Sequence, residues 1–123
     1  MQIKIPITPV SLNKAHRGRH FKTPTYKKYE MDVFLVLPEY KGKVLEGELF
    51  LKYSFYIKNY GLSDTGNLEK LITDILVKRG YLKDDRYIKA MYLEKIKVKD
   101  VYAEKIVIDI VPYINRYKIL NVF

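Results

Sequence analysis

The chain has 123 residues, 48% hydrophobic and 30% charged, enough for one domain burying roughly two-thirds of its unfolded surface and too apolar for disorder. It has no cysteine, which excludes a disulfide scaffold, a thiolate zinc site and a thiol nucleophile. Twenty-three Lys and Arg against fourteen Asp and Glu leave a charge of +9, which draws polyanions, nucleic acid before membrane; a merely soluble basic protein is the alternative.

In chain order, Gln2 to Ile7 alternates as a short strand, ended by Pro6 and Pro9. From Met1 to Tyr29 there is no acid, and a basic loop spans about 10–22. Asn13, Lys14, Arg17, Arg19 and Lys22 in that loop are the candidate nucleic-acid contacts, since long cationic side chains gain affinity by releasing counterions from phosphates. A solvated linker would have the same composition. His16 and His20 lie four apart, but Gly18 between them and the want of an apolar face argue against a helix, so both read as loop residues.

Thr23-Pro24 starts a helix, with a hydroxyl cap and proline at the first helical position; it runs to about Leu37, buries Tyr26, Tyr29, Val33 and Leu37, and stops at Pro38. Glu48 to Lys58 is a strand with Leu49, Leu51, Tyr53, Phe55 and Ile57 on one face. After a turn at Asn59-Tyr60-Gly61, a second helix spans about Thr65–Lys78, its apolar stripe Leu68, Leu71, Ile72, Ile75 and Leu76, closed by Gly80. Ile88 to Val98 and Glu104 to Val111 alternate as two more strands. Glu94 shares the parity of Ile88, Ala90, Tyr92 and Ile96, the expected core face, and a bulge, an exposed strand end or a buried ion pair would each explain it. The apolar tail Ile114 to Phe123 is expected to dock on its own domain or on a partner subunit. The expected fold is a single α+β domain over residues 1–123, β-α-β-α-β-β, a mixed sheet with helices on one face. No run of about 18 apolar residues is present and Met1-Gln2-Ile3-Lys4 leads into prolines, so neither a membrane span nor a secretory leader is expected, and the expected location is cytoplasmic.

One window, 64–85, gathers acids against this basic background: Asp64, Glu69, Asp74, Asp84 and Asp85. Asn67, Lys70 and Asp74 fall on one stripe of the second helix, away from its apolar face. If the chain folds back after Gly80, the acids converge and call for a hard cation such as Mg²⁺ or Mn²⁺. Taken singly, Asp64 or Thr65 would serve as a helix cap, Lys70 and Asp74 as an exposed pair, and Asp84-Asp85 as turn formers.

The run Asp64-Thr65-Gly66-Asn67-Leu68-Glu69-Lys70, then Asp74, Gly80 and Asp84-Asp85, resembles the signature of RusA-type Holliday-junction resolvases, which carry D-x-D-N-x-x-K, then a further Asp, a Gly and a paired Asp-Asp. The order of elements, with a basic loop after the first strand, is similar too. The resemblance implies a homodimeric, Mg²⁺-dependent endonuclease that cuts four-way DNA junctions in recombination and repair. It implies Asp64 and Asp85 as metal ligands, Lys70 as the group that offsets charge growing on the phosphate, and Asp74 or Asn67 as a further ligand. Gly66 stands where the family has its second Asp, and Ser63 where a basic residue often precedes the motif. Gly66 donates no ligand, so a catalytically impaired junction- or nucleic-acid-binding protein of the same fold is the alternative. A non-nuclease binding module that stacks bases on some of the twelve tyrosines is a third reading, weakened because Tyr53, Tyr92 and others fall on core-facing parities.

Overall fold

The computed structural model describes residues 1–11, 16–17, 21–22, 24–59, 61 and 65–114. Six strands and two helices follow in the order β1 (Gln2–Ile5), β2 (His16–Arg17), β3 (Phe21–Lys22), α1 (Pro24–Val36), β4 (Leu49–Ile57), α2 (Thr65–Lys78), β5 (Ile88–Lys97) and β6 (Lys105–Pro112). The four long strands form one mixed sheet in the order β1-β6-β4-β5, antiparallel except for the parallel β4–β5 pair that α2 connects. This is the expected small α+β domain. The addition is β2–β3, a separate antiparallel ladder pairing His16 with Lys22 and Arg17 with Phe21 inside the expected basic loop. A ladder two residues long carries no readable alternation, so composition alone showed it as loop.

Both helices bury the faces their spacing dictates. On α1 the buried residues are Tyr26, Tyr29 and Val33, with Leu37 buried just beyond, where its amide donates to the Val33 carbonyl at 2.7 Å. Thr23, the expected cap, lies outside the described residues. Helix α2 buries its five expected aliphatics and, in addition, Glu69 and Thr73. Gly80, at φ +82°, ends it in a Schellman motif: the Gly80 amide donates to Val77 O and the Tyr81 amide to Leu76 O. An L side chain resists that left-handed backbone, which is why glycine stands there.

The core lies between the helices and one face of the sheet: Ile3 and Ile5 of β1, Leu51, Tyr53 and Phe55 of β4, and Ile106, Ile108 and Ile110 of β6 pack with the helix stripes. Full burial of each such side chain contributes about 1.5–3 kcal/mol.

The parity problem in β5 resolves into a register shift. Leu49 pairs with Ile88 but Phe50 pairs with Ala90, so Lys89 is an extra residue and the alternation inverts after it. Leu93 consequently opposes Tyr53 and joins the core, while Glu94 opposes Ser54 and is exposed. Tyr92, expected inside, is 41% exposed. The expected tail lies outside the described residues beyond Ile114, which is exposed. No helix among the described residues is long and apolar enough to cross a membrane.

Candidate active site

Helix α2 and the segment after it supply the site. The Schellman cap reverses the chain, Leu82 is buried, and the Tyr81 hydroxyl donates to Pro38 O at 2.9 Å, which fixes the returning strand of chain. The 3-10 turn Asp85–Tyr87 then packs against α2. Asp85 comes close enough that its charge, with that of Asp74, pushes on the Glu69 carboxyl. The fold-back on which convergence of the acids depended is therefore present.

Within this region the acids divide by environment. Asp84 caps the 3-10 turn: its Oδ1 accepts from the Arg86 amide at 3.0 Å, and that hydrogen bond, with a further one from Asp85, holds its carboxyl below the usual range. Asp84 also faces the Arg86 guanidinium at 4.0 Å, so its reading as a turn former holds. Asp85 is exposed and pairs with no cation among the described residues. Asp74 and Lys70 are exposed on the outer stripe of α2, with Asn67 half-buried near its start. Among the described residues no ion pair joins Lys70 to Asp74, and the Lys70 charge acts on the Glu69 carboxyl. Asp64 lies outside the described residues, as do Asn13, Lys14 and Arg19; Arg17 and Lys22 belong to the β2–β3 ladder.

Two features were not picked out from the sequence. The first is the burial of Glu69, one of the acids of the window: it is 9% exposed and its Oε1 accepts from the Thr73 hydroxyl at 3.2 Å. Thr73 in turn meets the Tyr53 hydroxyl at 2.5 Å. Thr73 has one proton and gives it to Glu69, so Tyr53 is the donor to Thr73. A one-way chain therefore runs from Tyr53 through Thr73 to the carboxylate. Burial pushes the Tyr53 phenol up and keeps it a donor. Burial also raises the Glu69 carboxyl, opposed by the Thr73 bond and Lys70 and reinforced by Asp74 and Asp85. A signal for Glu69 existed: it stands three and seven residues before Ile72 and Leu76, at the edge of the apolar stripe. The second feature is a cationic rim beside Asp85, where the Arg86 guanidinium lies 5.2 Å and the Lys83 ammonium 5.9 Å from the Tyr87 ring.

Among the described residues no three Asp, Glu or His side chains form a group able to hold a metal. The donors present are carboxylate oxygens alone, which fit a hard divalent cation in kind, and Asp64 would add another from the residue before α2. A surface cavity of about 120 Å³ lies at Lys83 and Tyr87, and another of about 250 Å³ between Val10, Tyr29 and Asp32; neither is lined by Asp85 or Lys70.

The family model of endodeoxyribonuclease RusA matches residues 6–111, from just after β1 into β6. The chain belongs to the RusA family. Membership implies an endodeoxyribonuclease of the Holliday-junction resolvase type, which acts on DNA. The matched span takes in both helices, β4, β5, nearly all of β6 and the whole acidic window, so this RusA-family protein carries its candidate site within the family's own frame. Among curated proteins none matches the chain.

Proposed function

We propose that this RusA-family protein is a Mg²⁺- or Mn²⁺-dependent, structure-selective endonuclease that resolves four-way DNA junctions as a homodimer. The observation that supports this reading best is the fold-back that brings the Asp85–Tyr87 turn against α2, the helix that carries Lys70 on its exposed stripe. Asp64 and Asp85, with Asp74, would hold the cation. Bound there, the cation supplies Lewis acidity toward the scissile phosphate and lowers the pKa of the attacking water. Lys70 would offset the negative charge that grows on the phosphate. Asn13, Lys14, Arg17, Arg19 and Lys22, with Lys83 and Arg86 on the rim, contact flanking phosphates and set register along the duplex arms.

The test is nicking of a synthetic four-way junction with Mg²⁺ or Mn²⁺ by the wild-type chain and by Asp85→Asn. Cutting that Asp85→Asn abolishes, with far-UV dichroism unchanged, is the expected result. Junction binding without cutting in either metal refutes the catalytic reading. One observation favours a second reading, a junction-binding protein without catalysis: Gly66, exposed in the first turn of α2, offers no carboxylate. Gain of cutting in Gly66→Asp over an inactive wild type would establish that reading.

A further inference from the structure

We infer that the cavity beside Tyr87 is a base-binding slot: it takes one unstacked nucleobase of a branched DNA against the Tyr87 ring, with the adjoining phosphates on Lys83 and Arg86. The inference rests on the junction-binding part of the proposed function and adds the feature by which a branch is told from a duplex.

Three observations carry it. First, the ring is fixed beside the candidate site. Tyr87 closes the 3-10 turn that Asp85 opens, and that turn packs against α2. The turn is held at both amides: the Arg86 amide donates to the Asp84 carboxylate at 3.0 Å and the Tyr87 amide to Asp84 O at 3.4 Å. Second, the half-buried Tyr87 side chain lines a cavity of about 120 Å³ together with Leu45, Glu46, Gly47, Leu49 and Lys83. Gly47 stands there at φ +80°, a backbone glycine adopts freely, and brings no side chain into the space. Two leucines and an aromatic ring suit any base, because every base has a π-face, and the volume suits a single planar ring without its sugar and phosphate. Third, charge sorts the parts of a nucleotide. The Arg86 guanidinium lies 5.2 Å and the Lys83 ammonium 5.9 Å from the ring centre, and Lys83 forms no ion pair among the described residues. Glu46 lines the cavity itself. A carboxylate repels phosphate but accepts from the exocyclic amine of a base, so the phosphates belong on the rim and the base inside.

Such a slot discriminates by what it costs to fill. In a linear duplex each base is stacked on both sides, whereas a pair at a branch point lacks a neighbour on one side, so taking a base out of the stack costs least there. A site that needs an extruded base therefore favours a branch over a duplex.

The experiment is binding, without divalent metal, to a synthetic four-way junction carrying 2-aminopurine at successive branch-point positions, whose fluorescence rises when the base leaves the stack. A linear duplex of the same arm sequence is the control. The proteins are wild type, Tyr87→Phe, Tyr87→Leu and Tyr87→Met, each with its melting midpoint recorded; two ringless variants keep a poorly folded one from deciding the result. Wild type and Tyr87→Phe should raise the fluorescence at a branch-point position. The ringless variants should lose that rise and about tenfold of junction affinity, with duplex affinity unchanged. Junction binding by the wild type with no rise at any position overturns the slot and leaves the endonuclease reading standing, as does an undiminished rise in folded ringless variants. Equal loss on junction and duplex reduces Tyr87 to a backbone contact and overturns it too. No preference of the wild type for junction over duplex overturns the junction reading, and this inference with it.

Discussion

Thr73→Val isolates the buried chain that ends on Glu69. The replacement keeps the shape of the side chain and removes its hydroxyl, so Glu69 loses its donor and the Tyr53 hydroxyl, on a residue with no exposure, loses its acceptor. A hydrogen bond to a charged group contributes about 1.5–3 kcal/mol, and a buried hydroxyl left unpaired costs about 1–3. The methyl group returns about 0.8 kcal/mol of apolar burial. The net destabilisation should be about 2–5 kcal/mol at neutral pH. For 123 residues, at about 2.1 cal/mol/K per residue, each kcal/mol lowers the melting midpoint by about 4 °C, giving about 8–20 °C. Tyr53→Phe alone should cost only about 1 kcal/mol, because Thr73 can still donate to Glu69. The double variant should cost less than the two singles together, since no orphaned phenol remains. Urea unfolding of all four proteins measures this cycle. The pH dependence has a definite sign. The folded carboxyl of Glu69 lies above its ordinary 4.5, so its ionisation opposes folding: the stability it allows is greatest below 4.5 and falls as pH rises through the folded value. The Thr73 bond restrains that rise, so the Thr73→Val penalty should grow from pH 4 to pH 7. A penalty under about 0.5 kcal/mol, strict additivity, or a penalty that shrinks with rising pH would refute the chain as described.

Two other expectations are independent of the buried chain. Gly80→Ala places a β-carbon on a left-handed backbone at the end of α2 and should cost about 1 kcal/mol, read as a drop in urea midpoint at unchanged slope. Lys83→Ala/Arg86→Ala should weaken junction binding and make the slope of log K against log salt shallower by about 1 to 2 units, because each phosphate contact contributes about 0.9; an unchanged slope would remove the rim from the interface.

The elements that could be read from sequence were those whose signal is local. The stripe on α2 and its closing Gly80 emerged in place because a helical period and a left-handed cap are properties of consecutive residues. Tyr26, Tyr29, Val33 and Leu37 were legible on α1 for the same reason. The outward turn of Glu94 and Tyr92 was hidden, because a register shift belongs to a pair of strands and leaves no mark in one of them. The burial of Glu69 was hidden likewise. Its place at the edge of the apolar stripe is ambiguous until residues 79–87 return against the helix. Asp84 and Asp85 looked equivalent in sequence; the fold gives one to a turn amide and leaves the other exposed.

The extra residue in β5 has a consequence for how this strand tolerates change. A strand spells inside and outside in a code of two letters, and Lys89 is a shift of reading frame within it. Substitutions downstream can be absorbed one at a time, each judged on the face where it stands. Deletion of Lys89 itself would only straighten the strand, leaving Leu93 opposite Tyr53, whereas a one-residue deletion at position 90 with the bulge kept would transpose the message: Tyr92 and Glu94 would turn toward the helices and Leu93 toward solvent. Insertions and deletions, not point changes, are therefore the events against which this edge of the sheet has least protection.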